Sequence, residues 1–339
     1  MKAAVYYSNN DIRIEDYPVP DISHGELLLK VQSSGICGSD LMEWYRKPKA
    51  PVVLGHEVAG EIAEVDKSVT KFREGDRVVV THHVPCNTCH YCLTGRHTNC
   101  EMIKQTSFYP GGFAEYLKVP EINVDRGTFL LPDNVSYDDA TFTEPLGCVI
   151  RGQRIAGMSP GKSVAVIGSG ITGLLHLQYS ISLGAGFTCA VDVNDFKLDS
   201  ALKFGASQAY NAGDDIKEKI KKNNSRMLAD LVIVCAGAES AIYQAFDIVE
   251  NGGTVLYFAP SVPDLEIKLN FNKLWWSGVN IVSSYAASPA DLLVALDMIS
   301  QGRVNVADMI THRLPLSDIS DCFKMVERSE KSLKILVKP

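Results

Sequence analysis

Four of the chain's nine cysteines, Cys86, Cys89, Cys92 and Cys100, fall within the fifteen residues CNTCHYCLTGRHTNC at the spacing C-x2-C-x2-C-x7-C. Four thiolates this close can complete a tetrahedron around Zn²⁺, which fills every ligand position, leaves none for a substrate and makes such a site structural. An iron–sulfur cluster also takes four cysteines. A pair of disulfides is the third reading, disfavoured in a reducing compartment. His90 and His97 lie inside the loop, but four sulfurs already complete the shell, so both read as solvated.

A second stretch, GSGITG, carries Gly168, Gly170 and Gly173 in the pattern G-x-G-x-x-G, with Ile171 and Thr172 between the last two glycines. It follows an apolar run, KSVAVI, and opens a helical one. Asp192 stands nineteen residues beyond Gly173 at the end of the next apolar run. That context is what a dinucleotide site requires: a tight turn at Gly168, close approach of the pyrophosphate at Gly170, helix–strand packing at Gly173 and an acidic acceptor for the ribose hydroxyls at Asp192. A carboxylate there repels a 2′-phosphate and favours NAD over NADP. The plainer alternative is a tight turn with Asp192 as a helix cap.

A third set is scattered: Cys37 in SGICGSD, His56 and Glu57 in LGHEVAG, and Glu144 in FTEPLGC. All are metal-competent. Taken singly, each also fits a bland role, as a small buried residue, a core histidine or a carboxylate on a turn.

The elements around these residues define two halves. With 339 residues, 46% of them hydrophobic, the chain exceeds one comfortable core, and two domains are expected. Residues 1–150 alternate β-rich runs, such as ELLLKVQSSG and DRVVVTHHV, with Gly and Pro turns. From about Ser163 apolar strands alternate with helical periods (KSVAVIG, ITGLLHLQYSISLGA, FTCAVDV, NDFKLDSALKFGA, ADLVIVCAG, GGTVLYFAP), the pattern of parallel βαβ units. PADLLVALDMISQGRV reads as one more helix, and the tail returns to strands that rejoin the first half. The formal charge of −7 argues against a nucleic-acid partner. No apolar run is long enough for a membrane span, and the first residues carry no secretory signal, so a cytoplasmic location is expected.

Taken in chain order, CGSD, GHE, the four-cysteine loop, GGFAEY, EPLG and GSGITG resemble the zinc-dependent medium-chain dehydrogenase/reductase family, most closely its sorbitol and threonine dehydrogenase branch. The resemblance covers essentially the whole chain. It implies an α/β protein: a GroES-like β-rich catalytic domain (1–150 and 286–339, with a zinc lobe at 86–100) and a doubly wound Rossmann NAD-binding domain (151–285), with the active site in the cleft between them. It implies two zinc ions per chain, one structural on Cys86, Cys89, Cys92 and Cys100, the other catalytic on Cys37, His56 and Glu144, with Glu57 as an alternate or supporting ligand. Cys148 is a rival ligand but stands too near GSGITG, and it joins Cys189, Cys235 and Cys322 as core.

The implied chemistry is NAD-linked oxidation of a secondary alcohol of a polyol, cyclitol or related compound to a ketone. Ser39 matches the hydroxyl that moves the alcohol proton. Where many relatives continue that relay with a histidine, this chain has Met42, and the adjacent Glu43 is the candidate exit. Trp44, Phe108 and Tyr285 are candidate substrate contacts. Ser284 stands where sorbitol enzymes have an arginine, which argues against sorbitol itself. The alternatives are a threonine-dehydrogenase-like amino alcohol enzyme and a catalytically silent dinucleotide-binding sensor. The expected partners are the small alcohol or ketone and further copies of the chain, as a homodimer or homotetramer.

Overall fold

The computed structural model describes residues 1–329 and 331–339. Two compact units divide the chain, one formed by Met1–Gly147, Ala286–Gly302 and Val306–Pro339, the other by Cys148–Tyr285 and Arg303–Asn305. The first unit begins with strands β1 (Lys2–Ser8), β2 (Asp11–Asp16), β3 (Leu27–Gly35), β4 (Val52–Val53), β5 (Glu57–Val65), β6 (Arg77–Val80), β7 (Tyr116–Val119) and β8 (Thr128–Leu130). The second contains β9 (Ser163–Ile167), β10 (Phe187–Asp192), β11 (Gln208–Asn211), β12 (Ala229–Val234), β13 (Val249–Tyr257) and β14 (Asn280–Ser283). The chain then returns to the first unit with β15 (Ile310–Pro315) and β16 (Lys334–Lys338).

In the first unit one sheet runs β15-β16-β3-β5-β6-β8, with β7 also on β3, and a smaller sheet runs β2-β1-β4. Alternate residues Leu27, Leu29 and Val31 of β3 pack with Val58, Ile62, Val78, Val80 and Leu117 from its neighbours, so period-two patterning forms this core. The small sheet packs Tyr6, Val53 and Leu54 against Phe113 and Phe323.

The loop between β4 and β5 carries His56, and its shape depends on two separated motifs meeting. Gly55 has φ +92°, and a Cβ there would lie 2.8 Å from the backbone nitrogen of Phe113. Gly112 N donates to Gly55 O at 2.9 Å, and Phe113 N donates to Leu54 O at 2.9 Å. GGFAEY is thus the backbone clamp that holds the LGHE turn.

In the second unit all strands are parallel, in the order β11-β10-β9-β12-β13-β14. Every residue of β9 and β10 is buried, which is why these strands read as continuous apolar runs. The order places a switch point between β9 and β12, where doubly wound sheets bind ligands at the carboxyl ends of their strands. The helix Ile171–Ser182 follows β9 directly.

Two sequence expectations differ from the structure, and two strands were not read from the sequence. DRVVVTHHV is a strand only to Val80; the chain leaves the sheet at Thr81, because β8 pairs no further than Val80↔Thr128. The short strands β11 and β14 lack an apolar run long enough to mark them, and β14 is mostly exposed. Cys148 and Cys235, expected in the core, are half-buried, whereas Cys189 and Cys322 are fully buried. Cys235 immediately follows the last residue of β12, where the chain leaves the sheet.

The helix Ile171–Ser182 can approach the sheet because Gly173 has no side chain: a Cβ there would overlap the Gly168 carbonyl oxygen and sit 3.3 Å from Val166 Cγ1. Gly173→Ala should therefore lower the unfolding free energy by about 1–3 kcal/mol, the usual cost of overpacking, read by urea denaturation of the metal-loaded protein. A change below about 0.5 kcal/mol would contradict the close-approach role.

Candidate metal and cofactor sites

The four cysteines of the lobe are gathered, with their sulfurs all within 4.8 Å of one another. Sγ–Sγ distances are 3.9 Å for Cys86–Cys92, 3.6 Å for Cys89–Cys92 and 3.6 Å for Cys86–Cys100. A tetrahedron with zinc–sulfur bonds of about 2.3 Å has edges of about 3.8 Å, so this spacing fits zinc. It is too long for disulfides, whose S–S bond is about 2.05 Å. Backbone N–H groups of Thr88 (3.4 Å) and Cys89 (3.2 Å) point at Cys86 Sγ, and Cys86 N donates to Cys100 Sγ at 3.4 Å. Hydrogen bonds from Thr88 and Cys89 hold the Cys86 thiol down to about 5, while burial and neighbouring thiols push Cys92 up to about 12. A dication resolves that conflict by stabilising all four as thiolates. His90 is exposed and His97 half-buried.

The second cluster is assembled by strand ends. β3 and β5 pair antiparallel with Gly35 opposite Glu57, so Cys37, two residues past β3, meets His56, one residue before β5. Ligand atoms of Cys37, His56 and Glu57 all lie within 4.8 Å of one another. A 3-10 turn, Gly38–Leu41, follows Cys37 and is closed by Cys37 N donating to Asp40 Oδ2 at 3.0 Å and Ser39 N donating to Cys37 Sγ at 3.5 Å.

Asp40 was not singled out by the sequence, yet it is fully buried and its Oδ1 lies 3.4 Å from His56 Nδ1. That contact leaves His56 Nε2 for a metal and fixes the ring, the usual arrangement behind a histidine ligand. Burial opposes charge on both groups, but their mutual attraction wins. Asp40, also beside Arg46, falls below the ordinary carboxylate range, and His56, aided by Cys37, rises well above the ordinary histidine value.

Glu57 is buried in an ion pair with Lys334, whose Nζ also donates to Ile36 O at 3.2 Å. Lys334 gave no signal in sequence, because it lies in an apolar strand far along the chain. Glu144 is half-buried in the first turn of the helix Thr143–Ile155 and is not one of the three residues of the close cluster.

Arg46 was also missed. Its Nε donates to Ser39 O at 2.9 Å, and one terminal nitrogen donates to Ser39 Oγ at 3.1 Å and lies 3.5 Å from Asp40 Oδ1. Glu43, the candidate proton exit, instead faces Lys47 at 3.5 Å in a largely solvated pair. His82 and His83 lie beside the cluster, with the His82 ring centroid 4.8 Å from that of His56. Burial, then neighbouring positive charge, holds His82 well below the ordinary histidine range and His83 down to about 3. Among the candidate substrate contacts, Phe108 is buried with its ring centroid 6.2 Å from that of His82, whereas Trp44 and Tyr285 are exposed.

The nucleotide loop fits its expected ligand. Gly170 begins the helix Ile171–Ser182 with no side-chain cap, and a Cβ on it would meet nothing within 4 Å, so there is room for a ligand to come close to the backbone at the start of this helix. Ile171 and Thr172 are half-buried in the first turn. Asp192 Oδ2 accepts from Ser169 N at 2.7 Å and Oδ1 from Asn194 N at 3.0 Å. The carboxylate that was expected to face a ribose thus also ties the loop to the end of β10, with lone pairs left over for hydroxyls.

Residues 23–132 match the alcohol dehydrogenase GroES-like domain and residues 172–301 the zinc-binding dehydrogenase domain. The sorbitol dehydrogenase of Bacillus subtilis is 32% identical over 100% of this chain and 97% of its own. A probable D-xylulose reductase A of Aspergillus fumigatus is 32% identical over 97% of this chain and 94% of its own. The chain belongs to the zinc-dependent medium-chain dehydrogenase/reductase family, in its sorbitol dehydrogenase branch. A solved relative from Sinorhizobium meliloti, described as a zinc-binding dehydrogenase bound to NADP, superposes with a TM-score of 0.88 at 26% identity, over 100% of this chain and 99% of that one. This dehydrogenase is therefore an oxidoreductase with a GroES-like and a Rossmann-type domain, and its cysteine lobe and Cys37–His56–Glu57 cluster fit a structural and a catalytic zinc. No helix among the described residues is long and apolar enough to cross a membrane.

Asp40→Asn keeps the shape behind His56 but removes the charge. It should weaken zinc at the Cys37–His56 site about 10–100-fold and leave the cysteine lobe loaded, so metal analysis after mild chelation should fall from two zinc ions per chain toward one. Retention of both ions at wild-type affinity would refute the role of Asp40.

Proposed function

We propose that the chain oxidises a secondary alcohol of a polyol, cyclitol or related compound to a ketone, with NAD as hydride acceptor. The observation that carries this reading is the Cys37–His56–Glu57 cluster with Asp40 behind the imidazole, in a chain that also has an uncapped, glycine-lined helix N-terminus after β9. Bound there, zinc supplies Lewis-acid polarisation of the substrate oxygen and the nicotinamide supplies the hydride acceptor.

The chain's own residues hold and move the rest. Cys37 and His56 are the anchoring ligands in this reading, and Glu144 is the third, because Glu57 is already the counter-ion of the buried Lys334. Ser39 Oγ takes the alcohol proton, and Arg46 holds that hydroxyl in place at 3.1 Å. Met42 is a thioether and cannot pass the proton on. Glu43 is solvated beside Lys47, so water and Glu43 together form the exit. Oxidation releases a proton, so it is favoured at higher pH and ketone reduction at lower pH.

NAD rather than NADP follows from Asp192, whose carboxylate repels a 2′-phosphate. A reducing, cytoplasmic setting belongs to the same reading, since the lobe needs all four cysteines as thiols.

Assembly with a second copy is part of the proposal. Among the described residues β14 pairs only with β13, leaving its other edge open, and Ile281 on it and Phe271, Trp275 and Trp276 on the helix Phe271–Ser277 are at least half exposed. An open edge beside exposed aromatics is a liability that self-pairing removes. Ile281→Lys should shift light-scattering mass to the monomer; a wild-type monomer at working concentration would refute the assembly.

The activity is tested by a screen of polyols, cyclitols, amino alcohols and simple alcohols with NAD and NADP. Wild type should turn over secondary alcohols with NAD, and Asp192→Ser should narrow the NAD preference by about 10- to 1,000-fold through lost repulsion and lost ribose bonds. Turnover of no alcohol by protein holding two zinc ions would sink the reading. Equal use of NADP by wild type would sink the role given to Asp192.

A further inference from the structure

Arg46 holds the Ser39 hydroxyl with only part of its guanidinium. Nε donates to Ser39 O at 2.9 Å, and Nη2 donates to Ser39 Oγ at 3.1 Å and lies 3.5 Å from Asp40 Oδ1. The other terminal nitrogen, Nη1, has no hydrogen-bond partner among the described residues, and the side chain keeps 15% of its surface exposed. A guanidinium is charged throughout the working pH range and offers five N–H donors in one plane, so a charged edge is left over beside the reaction-site hydroxyl. Asp40 does not use that edge up. Its contact lies at the limit of a hydrogen bond, is not the two-toothed fork that arginine makes with a carboxylate, and is shared with His56 at 3.4 Å.

A second cation stands close by. The guanidinium carbon of Arg46 lies 4.8 Å from the centroid of the Tyr45 ring, and Lys49 Nζ lies 3.6 Å from the same centroid. Glu43 answers Lys47, and Asp40 answers Arg46 and His56, whereas Lys49 has no carboxylate partner among the described residues. The local field is accordingly positive in a chain whose formal charge is −7. A hydrogen bond from Lys49, and then the charges of Lys49, Arg46 and His56, outweigh burial and hold the Tyr45 hydroxyl below its ordinary range. The segment also has open volume against it: Glu43, Trp44, Lys47 and Pro48 line a cavity of about 440 Å³.

We propose that Arg46 also binds substrate, its Nη1 edge taking a carboxylate or phosphate carried two or three carbons from the one oxidised, so that the substrate is a polyol acid or polyol phosphate. Lys49 strengthens the field that draws the anion in. The proposal rests on the secondary-alcohol reading above. In that reading the reacting oxygen meets Ser39 Oγ at a hydrogen-bond distance of about 2.7 Å, which puts the guanidinium within about 6 Å of it, the reach of an acidic group on the same short chain. Holding Ser39 accounts for Nε and Nη2 but leaves Nη1 and Lys49 without a task. A neutral polyol places a hydroxyl at Nη1, and a charge-assisted hydrogen bond is roughly twice as strong as a neutral one.

The test measures binding to zinc-loaded, NADH-bound protein by calorimetry. Erythronate and threonate are compared with erythritol and threitol, which carry a hydroxymethyl group in place of the carboxylate, and erythritol 4-phosphate is the phosphate arm. Wild type should bind an acid or the phosphate at least about tenfold more tightly than the matching polyol, and added salt should shrink that ratio. Preference for the acids assigns a carboxylate, and preference for the phosphate alone assigns a phosphate ester. Arg46→Gln should cut the ratio about tenfold, and Arg46→Lys, which keeps the charge but not the fork, should cut it less. Because a displaced Ser39 weakens charged and neutral alcohols alike, the ratio separates anion binding from positioning.

No anion preference in wild type overturns the proposal, as does an equal fall for charged and neutral ligands in Arg46→Gln. If the Arg46 variants do not fold or lose zinc, Lys49→Gln decides: a reduced ratio supports the proposal and an unchanged one overturns it. Turnover with NAD is measured on the same compounds. Preferential binding of an anion without oxidation of any alcohol removes the secondary-alcohol reading and leaves the anion site standing. Oxidation of charged and neutral alcohols at equal kcat/KM does the reverse.

Discussion

The antiparallel register of β3 on β5 is the constraint on which the metal cluster rests. Gly35 opposite Glu57 sets Cys37 and His56 at adjacent strand ends, and β16 on the other side of β3 brings Leu336 opposite Gly35 and so Lys334 to Glu57. A slip of one residue would exchange the faces of a strand, carrying Glu57 away from Lys334 and turning Val58 and Ile62 out of the core they share with Leu29 and Val31. The same apolar alternation that builds the core therefore also fixes the geometry of the site. The GGFAEY clamp on Gly55 completes the arrangement by giving the His56 turn a single backbone path.

The register brings carboxylates into a place that excludes water, and each is answered by a cation. Asp40 lies between His56 and Arg46, and Glu57 faces Lys334, both members of that last pair being 1% exposed. Losing one partner of such a buried pair costs about 3–5 kcal/mol, because the remaining charge stays without compensation. Lys334 and Arg46 are thus conditions for keeping carboxylates near the cluster. They also moderate the field there: thiolate and carboxylate ligands subtract from the charge of a metal, and the nearby guanidinium and ammonium restore part of it.

What could be read from the sequence was what is local or what a whole-chain resemblance carried. The cysteine lobe and GSGITG declare themselves because all their parts fall within a few residues, and the parallel sheet because β9, β10 and β12 are almost wholly buried. Cys37, His56 and Glu57 required the resemblance. Asp40 entered only as the last residue of CGSD, with no role of its own, and Arg46 was not singled out at all. Lys334, 277 residues from Glu57, sits in a strand whose pattern is that of any core strand. His82 was absorbed into a strand that in fact stops at Val80. Asp40, Arg46 and Lys334 carry no local spacing signal, since each acquires its role through a tertiary partner.

The two metal sites differ in how their ligands are supplied, and that difference follows from their tasks. The lobe draws four sulfurs from one loop, helped by backbone N–H groups of the same loop, and Arg126 joins it to the rest of the unit by donating to Cys86 O at 2.7 Å. The second cluster draws on the ends of β3 and β5, and one of its carboxylates is already engaged. Were Glu57 to swing fully onto a metal, the Lys334 ammonium would be left buried with, among the described residues, the Ile36 carbonyl and the face of the Phe142 ring, neither of them charged. Its exchange between the two is therefore opposed by the same desolvation that holds the pair together. A site so built keeps a negative charge beside the metal without closing its coordination shell, and an incompletely closed shell is what an alcohol needs in order to enter.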